Sequence, residues 1–297
     1  MKILVTGATG LTGSLFLSHL AEVNPGAEVD CLVRCSTSDR HSIEHLNLNL
    51  SYFIGDSEIS QTWDELLSKY TPETIIHIAS IRHVPVILQS LEKAGKSPRF
   101  IVIGTTGVYS QYNHYSATYK NIETQLANYP GSCCLLRPTM IYGSHRDKNL
   151  HKLILFCDHY QFFPIFGQGN NLLQPIHAED LAQALISILL NPNITGAYDL
   201  SGGTVITLVE LIALVEKILK KSVYPLPIPY ALGLWSATII EKILGKRSPI
   251  RREQVLRLQE DKAYPHESAT RDFDFDPRSL DIGLREEIDI MRTKGII

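Results

Sequence analysis

Met1-Lys2-Ile3-Leu4-Val5-Thr6-Gly7-Ala8-Thr9-Gly10-Leu11-Thr12-Gly13 opens the chain and decides its fold. A short apolar run reads as a strand. Three glycines follow at intervals of three, and a helical pattern takes over from Leu11 to Val23. In a strand–turn–helix unit the first glycine permits a tight turn. The second lets a ligand approach the backbone, and the third lets helix and strand pack closely. The helix N-terminus then offers free N–H groups and the positive end of its dipole, which suits a pyrophosphate. Gly7, Thr9, Gly10, Leu11, Thr12 and Gly13 are therefore expected to hold a nicotinamide dinucleotide.

Working outward, strand-like runs at Lys2–Thr6, Glu28–Val33, Ser51–Ile54, Thr74–Ala79, Arg99–Gly104 and Ser132–Arg137 alternate with helical patterns. Those patterns include Leu11–Val23, Val84–Ala94 and Tyr115–Asn128. Runs such as Ile75-Ile76-His77-Ile78-Ala79 have no polar alternation, so both faces of the sheet should be covered. The expectation is an α/β fold, a Rossmann-type doubly wound parallel sheet with a smaller, mainly helical C-terminal lobe. Residues 1–145 would form the dinucleotide-binding domain, with its sheet completed by segments near 174–200, and residues 146–297 would be mainly a substrate-binding lobe. Thr207 and Glu210 read as a capping box opening a helix that ends near Lys221.

The 297 residues carry a net charge of −3, which gives no basic field for nucleic acid. The longest apolar stretch, Pro227–Leu244, contains Glu241 and Lys242, with Lys246 and Arg247 just beyond. It is expected to be a packing helix of the second lobe, in preference to a helix lying on a membrane, and it is no membrane span. Five cysteines (Cys31, Cys35, Cys133, Cys134 and Cys157) give an odd count with no Cys-x-x-Cys pair. Buried reduced thiols, a reducing compartment and a cytoplasmic location follow as expectations. The apolar stretch at the start is too short for a secretory signal. The histidines form no short metal-ligand cluster, so no metal is expected. His77 reads as a packed core residue and His177 as structural.

The Gly-x-x-Gly-x-x-Gly spacing resembles the extended short-chain dehydrogenase/reductase superfamily, the relatives of nucleotide-sugar epimerases and dehydratases. Further segments agree in order: Gly55-Asp56, His77-Ile78-Ala79-Ser80, Thr105-Thr106-Gly107-Val108-Tyr109, Leu136-Arg137-Pro138 through Gly143, and Gln174-Pro175-Ile176-His177-Ala178-Glu179-Asp180. The resemblance spans about 200 residues. It implies that Asp56 lies near the adenine and that Ala79 and Ser80 border the cofactor. The end of the second strand selects the dinucleotide, because an acid there would bind a ribose hydroxyl. Val33 stands in that place and Arg34 follows, so NADP(H) is expected, with NAD(H) as the alternative.

In the resembling enzymes a Tyr and a Lys four residues later share a helix face, and a Ser or Thr after the fifth strand holds the substrate oxygen. Thr105 and Lys120 match the last two roles, and Lys120 is also expected to bind the cofactor at its ribose. Position 116, where the Tyr would fall, is Ser116, and Tyr115 is one residue early. Five residues rotate about 140° around a helix, so Tyr115 and Lys120 would diverge. Three readings stay open: a bulge or an early helix start brings Tyr115 in; another group such as Tyr112, His114 or His83 serves instead; or the usual reaction does not occur. On the substrate side His83, Tyr142, His145 and Arg146 follow strands that end at the cleft, and the resemblance implies that the Phe162–Asn171 loop covers the pocket, with a packing loop against the second lobe as the equal alternative. The chain is thus expected to be an NADP(H)-dependent oxidoreductase or epimerase/dehydratase acting on a hydroxyl or carbonyl carbon of a small molecule, with a nucleotide sugar as the candidate. The alternative is a dinucleotide-binding sensor without turnover. Homo-oligomerisation is left open.

Overall fold

The computed structural model describes residues 2–34, 42–147, 149–245 and 251–297. Met1, Cys35, Lys246 and Arg247, each named above, lie outside the described residues. The first half runs β1 (Ile3–Thr6), α1 (Leu11–Val23), β2 (Glu28–Val33), β3 (Asn49–Ile54), α2 (Ser60–Lys69), β4 (Thr74–His77), α3 (Val84–Lys93), β5 (Arg99–Ile103), α4 (Ser116–Ala127) and β6 (Cys133–Pro138). The rest comprises β7 (Ile141–Tyr142), α5 (Leu150–His159), β8 (Phe162–Phe166), β9 (Leu172–Leu173), β10 (Ile176–His177), α6 (Ala178–Leu190), β11 (Gly196–Leu200) and β12 (Ile206–Thr207). It ends with α7 (Leu208–Leu219), β13 (Tyr224–Ile228), α8 (Tyr230–Leu244), α9 (Arg252–Arg257), α10 (Glu267–Phe273) and α11 (Leu280–Thr293).

Seven strands form one parallel sheet in the order β11-β6-β5-β4-β1-β2-β3. Side-chain alternation along each strand sorts the apolar residues between its two faces. Ile3, Val5, Cys31, Ile76, Ile101 and Leu136 enter a core closed by Phe16, Leu17 and Leu20 of α1 and Leu181 and Leu185 of α6. Leu4, Leu32, Ile75, Phe100, Val102 and Leu135 enter the other, under Trp63 of α2, Ile87 of α3 and Ile122 of α4. The chain order reverses between β1 and β4, so a crevice opens beyond their carboxyl ends, where Thr6 pairs with His77.

A third core gathers Tyr142, Ile154 of α5, Ile165 of β8, Leu211 and Val215 of α7, and Leu284 and Ile288 of α11. The capping box opens α7 as read from the sequence: the Thr207 hydroxyl accepts from the Glu210 amide at 3.2 Å, and Glu210 accepts from the Thr207 amide at 2.8 Å.

Two expectations are corrected here. Phe162–Phe166 is not loop but strand, because its register with β13 satisfies its backbone. The stretch Pro227–Leu244 does contain a helix, but α8 fully buries only Gly233 and Ala237, half-buries Leu234 and Ile240, and leaves Leu232, Trp235, Ile239, Ile243 and Leu244 exposed. The thiols of Cys31, Cys133, Cys134 and Cys157 are unpaired, and burial pushes each of them up, Cys31 and Cys134 to about 12. At neutral pH they are packing groups.

Candidate active site

The glycine turn leaves β1 at the switch point, and each glycine has a different reason. Gly7 has φ +74°, and a Cβ there would stand 2.9 Å from the amide nitrogen of Ala79. A Cβ at Gly13 would stand 2.1 Å from the Gly7 carbonyl oxygen, so α1 can pack on the strand exit only without one. Gly10 has an ordinary φ of −71°, and its Cβ would meet just one protein atom, the Gly7 oxygen at 3.2 Å. Its outer side faces open space. The amides of Leu11 and Thr12 have no acceptor among the described residues. A bare backbone, open amides and a helix dipole make a cradle for a phosphate group.

Arg146 closes one side of this turn. Its guanidinium donates to the Thr9 carbonyl and lies 3.5 Å from the Ser14 hydroxyl. The loop carrying it is anchored from behind, where the Gly143 amide donates to Glu287 of α11 at 3.0 Å. Glu287 is fully buried beside Asp147, and burial first, then its hydrogen bond with Asp147, holds its carboxyl far above the ordinary carboxylate range.

At the end of β4 the His77 ring bridges Thr6 and Ser80. Nε2 donates to the Ser80 carbonyl at 2.9 Å, which leaves Nδ1 to accept from the Thr6 hydroxyl at 2.7 Å. Burial pushes His77 down to about 4, so it is neutral, in line with a packed role. It thereby fixes the carbonyl of Ser80, whose side chain receives the Arg82 amide. His83 follows, with Nδ1 2.8 Å from the Ser57 hydroxyl. Asp56 accepts from the Glu58 amide at 3.0 Å, so its carboxylate builds the turn before α2. Arg34 stands exposed at the exit of β2.

Beyond β5, Thr105 caps a short 3₁₀ turn over Thr106–Tyr109 by accepting from the Gly107 amide at 3.0 Å. Ser116 is buried and donates to the Val108 carbonyl at 2.7 Å, which seats the start of α4 on that turn. Tyr115 is the N-cap of α4. Its ring lies 4.7 Å from the Arg82 guanidinium, 3.9 Å from the His114 ring and 6.1 Å from the Tyr119 ring. Tyr119 in turn has its hydroxyl pushed up, chiefly by burial. Lys120 is exposed, and its side chain makes no hydrogen bond or ion pair among the described residues. The four-residue spacing along one face thus joins Tyr115, Tyr119 and Glu123, and Glu123 holds Arg137 through two bonds of 2.8 Å.

Of the residues expected to face a substrate, His145 is partly buried, 3.2 Å from the Ser144 hydroxyl, and pushed down by burial and by Lys294. Tyr142 does not reach the cleft: it is 0 % exposed, packed on His177 and Gly283, because β7 turns its side chain into the third core. Arg146 lies on the glycine turn rather than across the substrate space. His177 is structural, as expected: its Nδ1 caps α6 by accepting from the Glu179 amide.

Sequence reasoning missed Arg82 and Glu260. Glu260 gathers the Ser110 hydroxyl and the Gln111 and Tyr112 amides, and so fixes the loop leading to His114 and Tyr115. No local pattern announces a contact across 150 residues.

Residues 4–122 match the family model for GDP-mannose 4,6 dehydratase. A trifunctional UDP-glucose 4,6-dehydratase/3,5-epimerase/reductase of Arabidopsis thaliana is 25 % identical over 243 residues, covering 67 % of this chain and 36 % of that longer protein. The NADH dehydrogenase 1 alpha subcomplex subunit 9 of Dictyostelium discoideum is 24 % identical over 230 residues, covering 71 % of this chain and 62 % of that one. Among solved structures, the UDP-glucuronic acid 4-epimerase of Bacillus cereus, in complex with UDP-glucuronic acid and NAD, shares the fold. Its TM-score is 0.74 at 19 % identity, covering 99 % of this chain and all of that one. Sheet order, glycine turn and ordered motifs agree with these likenesses, and over residues 4–122 the chain is similar to the nucleotide-sugar epimerases and dehydratases.

Proposed function

We propose that the chain is an enzyme that binds a nicotinamide dinucleotide on the glycine turn and acts at a hydroxyl or carbonyl carbon of a small molecule, a nucleotide sugar by class. The observation that carries this reading is the cradle itself: Gly10 open on its outer side, the Leu11 and Thr12 amides without acceptors, and Arg146 at the rim. Gly7, Thr9 and Gly13 would hold the pyrophosphate with them. Val33 in place of an acid, followed by exposed Arg34, supports NADP(H) over NAD(H).

When bound, the cofactor supplies the hydride acceptor or donor. The residues of the chain must then orient the substrate oxygen and move its proton. Thr105 uses its lone pair on Gly107, which leaves its O–H to donate to that oxygen. Tyr115 is the phenol we assign to proton transfer. In the resembling enzymes a lysine four residues on accompanies the phenol, and here that register holds Tyr119. The accompanying cation would be Arg82, 4.7 Å from the ring.

The exposure of Lys120 favours a second reading, a dinucleotide-binding protein without turnover. Two measurements separate them. Calorimetric titration with NADPH and NADH should give binding, tighter for NADPH. Incubation of the loaded protein with UDP- and dTDP-hexoses should then give a keto-sugar or an epimer by mass spectrometry and chromatography. Binding without conversion of any such sugar supports the second reading, and no binding of either dinucleotide defeats both.

A further inference from the structure

Helix α8 inverts the usual amphipathic arrangement. It meets the body through its smallest residues: Gly233 and Ala237 are buried, and a Cβ on Gly233 would come within 2.2 Å of the Phe166 ring. Leu234 and Ile240 are half-buried beside them, and the remaining large apolar side chains are exposed. Trp235 is 64 % exposed and Ile243 74 %, with Leu232 and Ile239 beside them. At about 100° per residue, Leu232, Trp235, Ile239 and Ile243 fall within an arc of about 80°. A stripe of this kind is rare on a monomer surface and marks an interaction site.

Charge indicates what covers it. Among the described residues from 220 to 257, six are basic (Lys220, Lys221, Lys242, Arg251, Arg252 and Arg257) and two are acidic, in a chain whose net charge is −3. Lys242 flanks the stripe on α8 itself. Lys220, Lys242, Arg251 and Arg252 are exposed and make no ion pair among the described residues. The two acids are engaged, Glu241 accepting from the Arg252 amide and Glu253 contacting His114. Outward Trp, Leu and Ile beside unpaired Lys and Arg is the chemistry of a helix lying in the interface of an anionic bilayer. None of the described helices is long and apolar enough to cross a membrane, so the contact is peripheral. We propose that the α8 stripe docks the protein on the surface of an anionic lipid bilayer, independently of what the dinucleotide site does.

The chain carries its own probe. It has two tryptophans, and Trp63 is 0 % exposed, so a change in tryptophan emission on adding lipid reports Trp235. Vesicles of phosphatidylcholine with phosphatidylglycerol should shift the emission to shorter wavelength and sediment the full-length protein. Neutral phosphatidylcholine vesicles, or added salt, should weaken partitioning about tenfold. Ile239→Asp with Ile243→Asp should weaken it at least as much while retaining Trp235, and because both positions are exposed the thermal unfolding curve should not move. Failure to bind anionic vesicles would overturn the proposal, and so would equal binding to neutral ones. A lipid-independent blue shift accompanied by a dimeric mass would also overturn it, by showing that a second copy covers the stripe.

Discussion

Two glycines three residues apart separate binding from folding. Gly10 has an allowed φ and little protein against it, whereas Gly13 lies against the Gly7 carbonyl. Gly10→Val should therefore change stability by no more than about 1 kcal/mol and abolish dinucleotide binding, because the side chain enters the cradle. Gly13→Ala should cost about 3 kcal/mol or more, since backbone must move. Thermal melts and calorimetry on both variants test the pair, and a Gly10→Val protein with unchanged affinity would refute the phosphate placement. At Arg34 the expectation is a selective loss. Arg34→Ala should weaken NADPH by about 1.5–3 kcal/mol and leave NADH nearly untouched, as a lost charge-assisted bond to a 2′-phosphate would. Equal weakening of both would assign Arg34 to the adenine instead.

Among the elements, α4 carries the proposed chemistry. Tyr115, Tyr119 and Glu123 share its inner face, and Lys120 does not. Tyr115→Phe should lower turnover about 10²–10⁴-fold once a substrate is in hand, and Lys120→Ala should leave it nearly unchanged. The reverse result would restore a lysine mechanism. The spacing of this helix shows where sequence is legible and where it is not. The α1 boundaries Leu11–Val23 follow from the glycines and the apolar period, and β2 from Val29, Cys31, Leu32 and Val33 between Glu28 and Arg34, a run broken only by Asp30. In α4 one residue of register changes which side chain faces the cleft. That register is set by Ser116 bonding to Val108 and by Asn113 receiving the Tyr115 amide, contacts that no periodicity encodes. Likewise α8 reads as a packing helix because its apolar content is high, yet two small residues decide which face is buried. Glu260 and Arg82 act through tertiary contacts alone.

For the whole molecule, three buried groups set opposite limbs of the pH dependence. His77 and His177 are both pushed down to about 4, chiefly by burial. Their contribution is present above the ordinary histidine value of 6.5 and is lost as pH falls toward 4. Glu287 is shifted upward, so its contribution is greatest below the ordinary glutamate value of 4.5 and is lost as pH rises through neutrality. Glu287→Gln keeps an acceptor for the Gly143 amide and supplies a permanent donor toward Asp147. The variant should melt higher than the parent at pH 8, and the difference should shrink toward pH 5. Parallel melting curves across that range would contradict the buried acid pair.

Arg99 stands at the start of β5 and donates to the carbonyls of Ile188, Leu189, Asn191 and Ile194 at the far end of α6. One guanidinium emerging early in translation thus waits for about ninety further residues before its acceptors exist. A longer delay applies to α1, which packs on α6, and a shorter one to β6, whose outer edge is covered only when β11 arrives. A nascent chain arrested before residue 190 presents an unpaired strand edge and an uncovered apolar helix to whatever surrounds the ribosome. Such arrested chains should be cleaved by dilute protease within the first hundred residues, and chains extended past residue 200 should resist. The cradle is therefore completed late in synthesis, although its own residues are made well before those of α6 and β11.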